Sequence, residues 1–412
     1  MPEKSSASTT WPVATGSRAW VPGQGPGVVL TEIIRQGVAS RPALESATGL
    51  SRPTISDRVR LLIDAGFVTE STQTRSSRGR PAGVLELRAD ARVILCVDIG
   101  EERARVAVAD LKARILVDSV IDVRIAAGPR AVLDAIAETA RSLLDAEAVG
   151  GAILGGIGVG LPAPVDYATG KTIGWSIMAG WDGYGVREHL AAEFRVPVVV
   201  DNDVNLLVMA EHRLCWAEQS HLFFLKTGTG IGSGLIVDGS VNRGRLGAAG
   251  DIGHTHVPGH GDPQCRCGNR GCLEAVAGGW ALARELRLRG EPYEQTHDAR
   301  GVVAAVARGD APAMQLIRDA GRTLGESVAF ATSLLNPAVI VIGGELAKAG
   351  DALMAGVREV VYQRSLPLAT KHLVISLTRL DETAGGVGAA LVVAEQLLRP
   401  DRIDEVVRQT VN

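Results

Sequence analysis

The stretch GDIGHTHVPGHGDPQCRCGNRGCLEAVAGG, residues 250–279, gathers three of the chain's five cysteines and three of its eight histidines. Cys265, Cys267 and Cys272 stand within eight residues of one another, and thiolates so spaced are soft donors for a divalent metal. One imidazole completes a tetrahedral set of three sulfurs and one nitrogen; His254, His256 and His260 all qualify on spacing. Four protein ligands leave no open position for water, so such an ion shapes the loop and activates no nucleophile. Gly261, Gly268 and Gly271 give the backbone freedom to wind around it. A ribbon that reads nucleic acid fits less well, because only Arg266 and Arg270 are basic and Asp251, Asp262 and Glu274 oppose them. Cys96 and Cys215 fall in a predicted strand and a predicted helix, as small buried hydrophobes.

A second constellation is DNDVN at 201–205, directly after the apolar run VPVVV. Asn202 and Asp203 there can cap a following helix, and the same polar atoms can receive a ligand hydroxyl. Two Gly-rich turns, VDIGEER from Val97 and KTGTGIGSG from Lys226, each follow an apolar run and precede another, the grammar of strand, turn, strand repeated twice. The repetition predicts two lobes on a common plan with a cleft between them.

The elements that carry these residues belong to a chain of 412 residues, long enough for two or three domains. With 46% apolar and 22% charged residues it has a soluble composition, and it has no run suited to a membrane span. The first residues lack the features of a secretory signal and read as a disordered leader over 1–24. Cysteines in this pattern imply a reducing cytoplasm. The net charge of −3 is unevenly spread: residues 1–92 carry 12 Lys and Arg against 8 Asp and Glu, the remainder 31 against 38. A basic amino-terminal part on an acidic body points to a polyanion as its partner.

Within that part, Val28, Val29, Ile33 and Ile34 share a helical face. Ser40 and Ser51 can cap two further helices with Pro42 and Pro53 in their first turns, and Ile55, Val59, Leu62 and Ile63 line the third until Gly66 ends it. Three helices followed by FVTESTQTRSSRGRPAGVLELR, which reads as strand, basic turn and strand, predict a winged helix-turn-helix over 25–90. Arg52, Thr54, Ser56 and Arg58 of the third helix, and Arg78 and Arg80 at the wing tip, are the expected contacts to a double-stranded operator.

From VDIG at 97–100 through GLPAPVD at 160–166, DNDVN, KTGTGIGSGLIVDG and the His and Cys stretch to NPAVIVIGGELA at 336–347, the chain resembles the successive motifs of the ROK family of repressors, open reading frames and sugar kinases. The resemblance implies a two-lobed actin-like, ribonuclease-H-like α/β fold over 91–412 with a sugar between the lobes. It selects His254 as the fourth ligand of a structural Zn²⁺ and maps Asn202, Asp203, His254 and Glu274 onto sugar-binding positions. Asp251 stands where the family has Glu, and Ile177 where a sugar-facing Asn is common. In a kinase member Asp203 would be the general base, with ATP and Mg²⁺ beside the sugar and Gly228, Thr229 and Gly230 at the phosphates. The family's first turn has a second Gly and a Thr where this chain has Glu101 and Glu102, and two carboxylates oppose a polyphosphate. Members with an amino-terminal winged helix resemble repressors of sugar genes. The expectation is therefore a cytoplasmic regulator, homodimeric or homotetrameric, controlled by a sugar or sugar phosphate; the alternative is a sugar kinase carrying a DNA-binding domain.

Overall fold

The computed structural model describes Trp20 and residues 23–72, 83–172, 178 and 180–411. Its first elements are three short helices, α1 (Pro26–Gln36), α2 (Arg41–Thr48) and α3 (Arg52–Asp64), each with a proline in its first turn. Ser40 and Ser51 cap α2 and α3 by accepting from the amides of Ala43 and Thr54. Val29, Leu30, Ile33, Leu44, Ile55, Val59 and Leu62 are fully buried among them. The expected faces are off by one position at each end: Ile34 is 38% exposed, while Leu61 is buried because α3 packs against β1 as well as α1 and α2. Strands β1 (Val68–Thr72) and β2 (Gly83–Leu87) pair antiparallel behind α3. The basic turn between them, with Arg75, Arg78 and Arg80, lies outside the described residues.

Lobe one follows: β3 (Val93–Ile99), β4 (Arg103–Asp110), β5 (Ile115–Asp122), α4 (Pro129–Leu144), β6 (Leu154–Leu161), the short pair β7 (Val165–Asp166) and β8 (Lys171–Thr172), α5 (Val186–Phe194) and β9 (Val198–Asn202). Its sheet runs β5-β4-β3-β6-β9. Helix α6 (Asp203–Cys215) leads to lobe two: β10 (Leu222–Thr227), β11 (Ile231–Val237), β12 (Ser240–Val241), α7 (Leu273–Ala277), α8 (Gly279–Arg287), α9 (Ala299–Ala307), α10 (Ala311–Leu335), β13 (Val339–Gly343), α11 (Asp351–Arg364), α12 (Pro367–Thr370) and β14 (Val374–Leu377). That sheet runs β12-β11-β10-β13-β14. In both sheets the first two pairings are antiparallel and the last two parallel, so the repeat predicted from the Gly-rich turns is a repeat of topology.

After β14 the chain returns to lobe one as α13 (Ala384–Leu397), which lies on β3 and β6 and against α6. Small residues allow that approach. A Cβ on Gly388 would stand 2.1 Å from the Leu206 carbonyl oxygen, and one on Gly158 would stand 2.4 Å from that of Ala389. Helix α14 (Pro400–Val411) then crosses to the amino-terminal helices, where Ile403 and Val407 are fully buried and Asp404 accepts from the Gly27 amide at 2.7 Å. Nothing in the amino-terminal pattern foretold this, because the partner is 377 residues away. Trp20, within the stretch read as a leader over 1–24, sits half-buried between the guanidiniums of Arg58 and Arg408, 5.4 and 5.8 Å from its ring.

Gly388→Ala forces backbone apart at the α13–α6 contact, where no side chain can yield. It should destabilise the protein by about 1–3 kcal/mol or more, read as a lower midpoint in thermal unfolding followed by circular dichroism. An unchanged midpoint would mean that α13 does not pack this tightly.

Candidate functional site

The two Gly-rich turns, the start of α6 and the His and Cys loop converge on one cavity of about 530 Å³ between the lobes. That volume lies within the range of small-molecule sites, roughly 300–1,000 Å³. Asn202, Asp203, Asp251, His254 and Glu274 all line it, as do Gly228, Thr229 and Gly230. Ile177 lies outside the described residues.

The loop forms a knot of backbone hydrogen bonds: Cys265 N–H to the Asn269 carbonyl at 2.8 Å, Val257 N–H to Gly271 at 2.8 Å, and Leu273 N–H to Thr255 at 2.9 Å. Ligand atoms of His254, Cys265, Cys267 and Cys272 lie within 4.8 Å of one another, a set that could hold a metal ion. The Cys267–Cys272 sulfur separation and the Cys265 Sγ to His254 Nδ1 separation are both 3.7 Å. A tetrahedral ion with metal–sulfur bonds of about 2.3 Å has ligand–ligand edges of about 3.8 Å, so the residues fit one. Burial pushes the thiols of Cys265 and Cys272 up, and a divalent cation is what lets such thiolates persist side by side. Of the three histidines open on spacing, His254 is in the set; His256 instead pairs with Asp262 at 2.9 Å on the surface, and His260 is exposed.

Asn202 caps α6, its Oδ1 accepting from the Val204 amide at 2.9 Å while its Nδ2 donates to the Ala163 carbonyl at 3.0 Å. The capping expected from the sequence thus commits one oxygen and one proton of this side chain. Asp203, 5% exposed, forms an ion pair with Lys226 of β10. Burial opposes the charge on Lys226, but Asp203 and Asp98 outweigh it and hold the ammonium above its ordinary value. Asp98, the last acid of β3, is pushed up to about 6, first by burial and then by Asp203, against the pull of Lys226. Lys226 opens the motif KTGTGIGSG, and a lone cation at the end of an apolar run is the sequence signal for this pair.

Glu274, 7% exposed, is the hub of the far wall. Its Oε2 accepts from the Ile231 amide at 3.2 Å and its Oε1 from the Trp280 indole at 3.1 Å. Gly230 lies close against it: a Cβ there would stand 2.5 Å from Oε2 and displace the carboxylate. The second turn is braced by this carboxylate at Ile231 and by backbone bonds: Gly228 N–H donates to the Gly230 carbonyl at 2.9 Å, and the Gly279 amide to the Gly228 carbonyl at 3.0 Å. The charge of Glu101 at the first turn does not stand bare, because Arg266 pairs with it.

On α3, Arg52 and Ser56 are exposed, and Thr54 is hydrogen-bonded to the capping Ser51 at 2.9 Å. Arg58 is committed within the chain, donating to the Gln24 carbonyl at 3.0 Å and to Asp57 at 2.6 Å.

Comparison with known proteins gives this geometry its setting. The ROK family model matches residues 94–396. A xylose repressor of Caldicellulosiruptor bescii is 26% identical over 388 residues, 91% of this chain and 96% of its own. A glucokinase of Thermotoga maritima is 29% identical over 319 residues, 74% of this chain and 98% of its own. Among solved structures, a ROK family transcriptional regulator, a homolog of the E. coli MLC protein, matches with a TM-score of 0.79 at 27% identity, covering 94% of this chain and 99% of that one. Coverage of 91% or 94% must include helices ahead of Arg92, whereas 74% need not. With its repeated sheets, interlobe cavity and His and Cys loop, and with the family model spanning both lobes, this chain belongs to the ROK family.

Proposed function

We propose that the chain is a sugar-responsive DNA-binding repressor of carbohydrate uptake and metabolism genes. One observation carries this: a basic three-helix unit with a paired strand ribbon precedes the ROK lobes, and the relatives that extend over it are a repressor and a transcriptional regulator. Residues 25–90 are read as a winged helix-turn-helix and 91–412 as the sensor. Exposed Arg52 and Ser56 suit α3 to a major groove, and Arg78 and Arg80 at the wing suit phosphates or a minor groove.

The metal is read as a structural Zn²⁺, since three sulfurs and one nitrogen are its usual closed set. Metal at Nδ1 of His254 leaves Nε2 to donate to a ligand hydroxyl, and Cys272 places Glu274 two residues on. Asp203, Asp251 and Glu274 supply acceptors, which a polyol needs because each hydroxyl buried without a partner costs roughly 1–3 kcal/mol. Among the described residues no helix is long and apolar enough to cross a membrane. A cytoplasmic site of action is proposed, in keeping with free thiols and a DNA partner.

Phe330 and Leu334, 71% and 70% exposed and four residues apart on α10, offer an apolar patch suited to a second copy. A two-fold assembly would match a palindromic operator. Effector closure of the lobes can reach the reader through α13 and α14, which join lobe one to α1 and α3.

Four experiments test this reading. The full chain should select an operator from random duplexes, and Arg52→Ala should weaken that affinity by about 1–3 kcal/mol without lowering the melting midpoint. In a thermal-shift series of pentoses and hexoses, one sugar should raise the midpoint and release the operator, and Asp203→Asn should abolish both effects. Sugar phosphorylation with ATP and Mg²⁺ that Asp203→Asn removes would instead make the chain a kinase. Cys267→Ser should lose metal, measured by elemental analysis, together with the effector response; normal induction without metal would overturn the role given to the loop.

A further inference from the structure

The first Gly-rich turn and the His and Cys loop meet across the cleft through a bidentate ion pair. Arg266, between two metal-ligand cysteines of lobe two, donates from Nη1 and Nη2 to the two carboxylate oxygens of Glu101 in lobe one, at 3.2 and 3.1 Å. Its guanidinium carbon stands 5.3 Å from the Trp280 ring centre, and Nη2 is 3.6 Å from Glu274. Arg266 is thus held by the turn it bridges to, by an aromatic face and by the carboxylate that braces the second turn. Both side chains line the cavity, each a little over a quarter exposed.

We propose that Glu101 and Arg266 form a gate that determines specificity: it shuts the nucleotide side of the cleft and leaves the cavity to a neutral polyol of monosaccharide size. The inference rests on the effector reading above but is judged on nucleotide binding. A polyphosphate lying between the turn at Gly100–Glu102 and the turn at Gly228–Gly230 must break the pair. It can take over Arg266, but Glu101 is then left facing like charge. The remaining charges do not compensate, because Lys226 is already engaged by Asp203, and Asp251, Glu274 and Glu345 add three carboxylates to the lining. A neutral polyol that reaches Asp203, Asp251 and His254 leaves the pair intact.

Isothermal titration calorimetry of the full chain with ATP and Mg²⁺ tests the gate. Wild type should show no saturable binding at millimolar nucleotide. Glu101→Gly removes the carboxylate, restores a bare backbone at the turn and frees Arg266 for phosphate. It should bind at least roughly tenfold tighter, the factor equivalent to ~1.4 kcal/mol. Glu102→Gly, at the exposed neighbour, removes a carboxylate from the same turn but leaves the pair intact, so it should gain clearly less than Glu101→Gly; an equal gain would overturn the gate. Metal content and circular dichroism establish that each variant is folded. Equal nucleotide affinity in wild type and Glu101→Gly, whether measurable in both or absent from both, overturns the gate. If no sugar shifts the wild-type melting midpoint, the effector reading fails, and the nucleotide series still decides the gate.

Discussion

The close packing of α13 is the constraint on which the molecule's organisation depends. This helix leaves lobe two after β14, lies on the lobe-one sheet and against α6, and runs on into α14. It touches both ends of the functional problem. Gly385 lies so near Asp98 that a Cβ would stand 2.2 Å from its carboxylate oxygen, and residues beyond Leu397 pack on α1 and α3. A helix of 14 residues spans about 20 Å at 1.5 Å per residue, so α13 carries the chain from beside Asp98 to the start of α14, which packs on the amino-terminal unit. Interiors packed at this density transmit displacement instead of absorbing it.

The amino-terminal unit is correspondingly incomplete without the other end of the chain. Ile403 and Val407 share one buried cluster with Val29, Leu30 and Ile33, and Trp20 is clamped by Arg58 and Arg408. The helices themselves were legible, because serine caps, first-turn prolines and a left-handed glycine act within a few residues of one another. The docking of α14 was not legible, because an amphipathic helix announces that it has a partner and not which partner. Arg58 shows the same limit. Its spacing suits a DNA contact, but its place is decided by Trp20 and Gln24, which no periodicity links to it.

The cleft divides along similar lines. The clustering of the three thiols was legible as chemistry, since cysteines so close in sequence must be close in space; the resemblance selects His254, and its ligand atom lies with theirs in a set that could hold a metal ion. The repeated strand, turn, strand grammar gave the two lobes. Two cation pairs went unread. Lys226 with Asp203 and Arg266 with Glu101 join residues 23 and 165 positions apart, and each cation stood inside a motif whose glycines or cysteines drew the attention.

Those two pairs change what the substitution of the first turn means. From the sequence, Glu101 reads as repulsion: a carboxylate where a phosphate should pass. In the structure it is one half of a bidentate pair, and its partner is fixed by a metal loop, an indole and a second carboxylate. A bare charge would merely weaken nucleotide binding, whereas a pair with both hydrogen bonds made has to be dismantled before a nucleotide enters. The surrounding acceptors stay in place for hydroxyls, which ask for hydrogen bonds and bring no charge. On the proposed gate, a scaffold shared with sugar kinases can exclude a nucleotide and keep the carboxylates of its cavity in place, because Asp203 and Glu274 are held by Lys226, Trp280 and the Ile231 amide and not by phosphate.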